Sequence, residues 1–163
     1  FKKLSKALLG VLNSKLFYFF ITKTSTPYNN NYYYFKTNYI LPFKLPNLSS
    51  EQQVIIGNIA QAIIFLKKQK EDKYHAICFV FEEIIDALVL EIYFVEEFKE
   101  EGISIMEHSK VEFQTLTESN DKLDLDTLLE IHKNIQEKKN PLRNQIKLMK
   151  IELKQLLNPI LSV

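Results

Sequence analysis

Residues 49–93 spell out a helical period twice, and this constrains the fold more than any other feature of the chain. Ile55, Ile59, Ile63 and Leu66 recur at three- and four-residue intervals, which places them on one helix face. Ser49 or Ser50, with Gln52 or Gln53 three residues on, predicts a capping box at the start. Lys67, Lys68 and Lys70 fall at the negative end of that helix dipole. A charged break at 70–74 follows. A second helix is expected from 74 to about 101, with Ile77, Phe81, Ile84, Ile85, Leu88, Ile92 and Tyr93 on its apolar face. Glu82, Glu83, Asp86, Glu96, Glu97, Glu100 and Glu101 crowd its other side and read as a solvated acidic stripe, with Gly102 as terminator. The chain holds only 3 glycines, which argues against Gly-rich cofactor loops and against a turn-dense all-β fold.

The same reasoning extends to both ends. Residues 103–116 predict a shorter helix and 117–122 a polar loop. Asp124 or Asp126 caps a helix bearing Leu125, Leu128, Leu129, His132 and Ile135 on one side. His132 on that face reads as a hydrogen-bonded core residue. Asn140–Pro141 is an N-cap followed by proline at the first helical position. Leu142, Ile146, Met149, Leu153 and Leu156 then continue the stripe, so residues 124–157 predict an antiparallel helical pair. At the other end, Leu4, Leu8, Leu12, Leu16 and Phe19 predict one amphipathic helix over 4–21. Residues 32–35 and 38–43 read as short extended segments, the second limited by Pro42 and Pro46 to an edge. The expected fold is α+β and predominantly α: an amphipathic helix and a small β element, followed by a helical bundle. Two parts are expected, 1–70 and 71–163.

Charge is segregated along the chain. Residues 1–50 contain seven lysines and no acid; 51–120 contain six lysines against fourteen acids; 121–163 contain eight basic groups against six acids. The first segment therefore either meets a polyanion or docks on the acidic middle. Several classes of function are set aside. The apolar run 16–21 is too short to cross a bilayer, and 79–95 carries Glu82, Glu83, Asp86 and Glu91. Cys78 is the lone cysteine, expected as a small buried hydrophobe in a chain suited to a reducing, cytoplasmic compartment. A chain opening on Phe1–Lys2, with no signal peptide, reads as a piece of a longer polypeptide. There is no P-loop, no GxGxxG and no HExxH, and His75, His108 and His132 lie far apart.

The stretch "PYNNNYYYFK", residues 27–36, is the unusual one. Its tyrosines can pack on the first helix, stack on bases, or serve an adaptable protein-binding loop. Asparagines pair with adenine edges, and the flanking lysines neutralise phosphates.

The string "ALLGVLNSKLFYFFITKTSTPYNNNYYYFKTNYILPFKLPNLSSEQQ", residues 7–53, resembles the tail of TaqI-like specificity domains in adenine-specific DNA methyltransferases. It is similar above all to the fused restriction–modification enzymes. That family pattern runs from an LLGxLNSKL helix (8–16) through a polar loop (24–31) and an aromatic segment (32–39). An LPxP element (41–46) and an EQ helix (51–52) complete it. "FEEIIDALVLEIYFVEEFKEEGI" at 81–103 and "NPLRNQIKLMK" at 140–150 resemble the C-terminal region of the same enzymes. The polar loop departs from the family, since it has neither Gly nor Arg. Its contacts would have to come from Asn and Tyr, which favours adenine or backbone over bidentate guanine reading.

The resemblance implies a target-recognition and scaffold piece that binds double-stranded DNA and adjoins the methyltransferase and nuclease domains of its parent chain. The expected contact residues are Lys15, Lys23, Tyr28, Asn29, Asn30, Asn31, Lys36 and Lys44. No chemistry is expected of this chain. "NPIL" at 158–161 lacks the aromatic of a methyltransferase motif, and no PD…(D/E)xK core is present. S-adenosylmethionine and Mg are therefore expected only in the missing parts of the parent. The alternative is a helical interaction module in which the basic segment neutralises the acidic middle and touches no DNA. Pairing of Lys15, Lys23, Lys36 and Lys44 with acids of 82–101 would favour that alternative.

Overall fold

The computed structural model of the chain describes residues 5–28, 32–118 and 123–163. Among these the protein is predominantly helical, with one two-stranded sheet. The first helix of the sequence reading is in fact two, α1 (Lys6–Leu12) and α2 (Lys15–Thr24). Ser14 divides them. Its hydroxyl accepts from the Phe17 amide at 3.3 Å to cap α2, and donates to the Val11 carbonyl at 2.7 Å, closing α1. The LNSKL string is thus a helix–helix corner.

Strands β1 (Pro27–Tyr28) and β2 (Tyr32–Tyr33) pair antiparallel, with Tyr28 opposite Tyr32 and Pro27 opposite Tyr33. The extended segment expected over 38–43 is instead a helical turn, α3 (Thr37–Ile40), running into a further turn at Phe43. With strands only two residues long there is no edge for 38–43 to pair with. Local bonds to the Lys36, Thr37 and Ile40 carbonyls satisfy its backbone instead.

Helix α4 (Ser50–Lys68) starts at the expected capping box. The Ser49 hydroxyl accepts from the Gln52 amide at 3.2 Å, and the Gln52 side chain accepts from the Ser49 amide at 2.8 Å. A 3-10 turn (Asp72–Tyr74) leads into α5 (His75–Tyr93), which is the centre of the molecule. Val89 and Leu90 are buried beside the anticipated Phe81, Ile84, Ile85 and Leu88, so most of its circumference is covered. The helix stops at Phe94 rather than near 101. α6 (Val95–Glu100) then turns Phe98 into the core, 1% exposed. Gly102 ends α6 with φ +63°, a left-handed conformation that suits glycine, while the Ile103 amide reaches back to Phe98.

The 103–116 segment divides at buried Phe113 into α7 (Ile105–Glu112) and α8 (Gln114–Glu118). α9 (Leu125–Gln136) is capped by Asp124, and α10 (Pro141–Glu152) by Asn140, whose side chain accepts from the Arg143 amide at 2.9 Å. Leu153, also buried, separates α10 from α11 (Lys154–Leu161). His132 on α9 is half-buried, and burial pushes its imidazole towards the neutral form; it makes no hydrogen bond among the described residues. Cys78 is buried, and burial raises its thiol pKa.

α1 packs most closely on α4, and both lie against α5. The contact needs glycine, because a Cβ on buried Gly10 would stand 2.7 Å from Ile56 Cγ2. α11 returns to lie on α2, so residues on both sides of position 70 share one hydrophobic core. No helix among the described residues is long and apolar enough to cross a membrane.

Candidate functional site

The acid-free segment folds into an aromatic knob pinned to α2. Phe43 is its anchor, 9% exposed, with its ring 4.9 Å from Phe17 and 5.2 Å from Phe20, both edge-on. Edge-on aromatic pairs of this kind contribute about 0.5–1.5 kcal/mol each beyond the area they bury. Phe43 also meets Tyr93 at the end of α5, and the Tyr93 hydroxyl donates to the Lys44 carbonyl at 2.6 Å. Burial pushes that phenol up to about 12. The hairpin is held nearby. Tyr33 packs edge-on against Tyr18, and the Ser25 hydroxyl donates to the Tyr34 carbonyl at 2.7 Å. Thr26 and Tyr39 hydrogen-bond through their hydroxyls at 2.9 Å.

What this anchoring leaves outside is a set of rings. Tyr32 is 72% exposed, Tyr28 54% and Phe35 54%; Tyr28 leans on Tyr34 at 4.9 Å. Lys36 lies over the other ring of that pair, its Nζ 4.5 Å from the Tyr34 centroid, and Lys23 lies 5.1 Å from the centroid of Phe19. Cation–π contacts at exposed positions are worth only about 0.5–1 kcal/mol. They orient these lysines without consuming their charge.

The predicted contact residues therefore separate. Tyr28 and Lys36 belong to the knob. Lys23 stands on the last turn of α2, and exposed Lys44 follows Phe43. Asn29, Asn30 and Asn31 lie outside the described residues. Lys15 is engaged elsewhere: its Nζ donates to the Leu161 carbonyl at 2.5 Å, at the end of α11. None of the four lysines forms an ion pair among the described residues. The acids that do pair on α5 take other partners, Glu82 with Lys67 at 2.6 Å and Glu83 with Lys150.

Two acids of α5 depart from the solvated face. Asp86 is half-buried and accepts from the Lys15 backbone amide at 2.7 Å, at the N-terminus of α2. Desolvation outweighs that bond and raises its carboxyl to about 6. Glu91 accepts from the Ile105 and Met106 amides at 3.0 and 2.7 Å, and so caps α7 from a neighbouring helix; its pKa is raised by burial. The only hint of either in the sequence is an acid flanked on both sides by core residues, as Asp86 is by Ile85 and Ala87. No cluster of three or more His, Cys, Asp or Glu arranged to hold a metal occurs among the described residues. Compared with protein-family models, curated proteins and solved structures, the chain matches none.

Proposed function

We propose that this chain is a DNA target-recognition and scaffold piece of a fused restriction–modification enzyme, working in the cytoplasm and binding duplex DNA without chemistry of its own. The observation that carries the reading is the state of Lys23, Lys36 and Lys44. All three are exposed, on a segment without acids, and none is neutralised by a carboxylate among the described residues. The same segment exposes Tyr28 and Tyr32, side chains of a kind that hydrogen-bond phosphates and stack on bases. Lys15 drops out of the contact set, because its ammonium serves the end of α11.

The mechanism is electrostatic first. Lysines displace counterions from the phosphates, and the tyrosines adjust base or shape preference. Binding of this chain to duplex DNA at two salt concentrations tests it, beside a Lys23/Lys36/Lys44→Ala variant. The affinity should fall steeply with salt, and the variant should lower the log–log slope by about three. Absent or salt-independent binding by the unmutated chain would remove the direct-contact reading. A protein-docking role without DNA is the second reading. It is favoured by Leu41 and Leu45, which stand 76% and 52% exposed beside the same aromatic knob.

A further inference from the structure

Away from the aromatic knob, α1, α4 and α5 enclose a cleft of about 460 Å³. Its lining is mostly apolar, with Leu9, Ala60, Ile63, Ile64 and Ile85, and its charged members are Lys15, Lys67, Glu82 and Asp86. The formal charges cancel, but their engagements do not. Lys67 is held by Glu82 at 2.6 Å, and Lys15 is drawn away to the Leu161 carbonyl at 2.5 Å. Asp86 forms no ion pair among the described residues, and its one hydrogen bond is to the Lys15 backbone amide at 2.7 Å. The other charges felt by Asp86 are the Lys15 ammonium from α2 and Glu82 and Glu83 from its own helix. From the α1 side, Leu9 and Gly10 bring no charge to the cleft, and Asn13, just past the end of that helix, adds a neutral amide. An apolar cavity beside a carboxylate without a counter-ion is complementary to an organic ammonium. The hydrocarbon would fill the space between the isoleucines, and the cation would satisfy Asp86.

We propose that the cleft between α1, α4 and α5 binds a small organic cation with an apolar body, its ammonium on Asp86 and its hydrocarbon against Ile63, Ile64 and Ile85. The Lys15 amide reports occupancy directly, because its hydrogen donates to Asp86. The full chain is titrated with n-hexylammonium and, separately, with the neutral isostere n-hexanol, following amide and methyl shifts by NMR. Hexylammonium should give saturable shifts confined to Lys15 and the cleft methyls, and should bind about tenfold or more tighter than hexanol. Asp86→Asn keeps the acceptor for the Lys15 amide but removes the charge. It should abolish that preference, leaving hexanol binding within about twofold of the unmutated chain. Equal binding of the two probes, unaltered preference in Asp86→Asn, or shifts that do not saturate or spread across the surface would each overturn the proposal. The comparison of probes on the unmutated chain keeps the test decisive even if the variant folds poorly.

Discussion

Residues 15–48 and residues 50–161 differ in how many of their large apolar side chains they bury. In the second region α5 buries Phe81, Ile84, Leu88, Val89 and Leu90 completely, and its neighbours Phe98 and Phe113 are 1% exposed. Three acids of α5 are tied down there, Glu82 and Glu83 by lysines and Glu91 by the start of α7. In the first region only Phe17, Ile21 and Phe43 among the large apolar side chains are buried, while Tyr28, Tyr32, Phe35 and Leu41 stand outside on a segment whose lysines form no ion pair among the described residues. Stability is therefore concentrated in α4, α5 and the helices around them. The knob needs that frame to hold its rings in place, and its outer rings contribute little in return.

The comparison is broken most sharply by truncating one ring on each side. Phe81→Ala removes a fully buried ring packed 5.4 Å, edge-on, against Phe113, and should cost about 3–5 kcal/mol in urea denaturation. Gly10→Ala tests the frame at its closest crossing, where the added Cβ would press on Ile56. Overpacking costs about 1–3 kcal/mol, against about 1 kcal/mol gained in helix propensity. A net loss of up to about 2 kcal/mol is expected in the same assay, by the difference of those two terms.

Asp86 gives a loss with pH. Its carboxyl titrates at about 6 in the folded protein, above the unfolded value of about 3.9, so the native state binds the proton more tightly. That contribution to stability is fully present below about pH 4 and is lost as the pH rises through about 6. Asp86→Asn should flatten this slope in denaturation curves taken across that window, and should raise stability at pH 7 by about 1–2 kcal/mol. Tyr32→Ala is the smallest effect and the sharpest contrast with Phe81. At 72% exposure it should change stability by no more than about 0.5 kcal/mol, while weakening DNA binding if the proposed function holds. A Tyr32→Ala loss approaching that of Phe81→Ala would show that the knob is core after all.

Much of the fold was legible wherever a side chain acts on its own backbone. The Ser49–Gln52 box, the Asp124 cap, the Asn140–Pro141 start and the Gly102 stop all appear at the expected residues. Ser14 belongs to the same class, and the break it makes was readable in "NSKL" but was hidden by an apolar stripe that continues through it. The candidate site was only partly legible. An acid-free aromatic segment marks Tyr28, Lys23, Lys36 and Lys44, but the diversion of Lys15 to Leu161 joins residues 146 positions apart. The exclusion of Asp86 from solvent depends in the same way on α2 and α4 arriving beside α5.

By itself the sequence determined the capped starts of α4, α9 and α10, the stripe that α4 buries, the predominance of helix and the segregation of charge. Capping, period and composition are local, and they survive any arrangement of the elements. Only the tertiary structure decided where the long stripes bend, at Phe94, Phe113 and Leu153. No glycine, proline or side-chain cap marks those breaks, and each lets a large apolar side chain at or beside the junction turn inward. It also decided which of the acids on α5 face water and which cap a helix or line a cleft. A helix fixes only the angular positions of its side chains, and burial is assigned by whatever packs against each face.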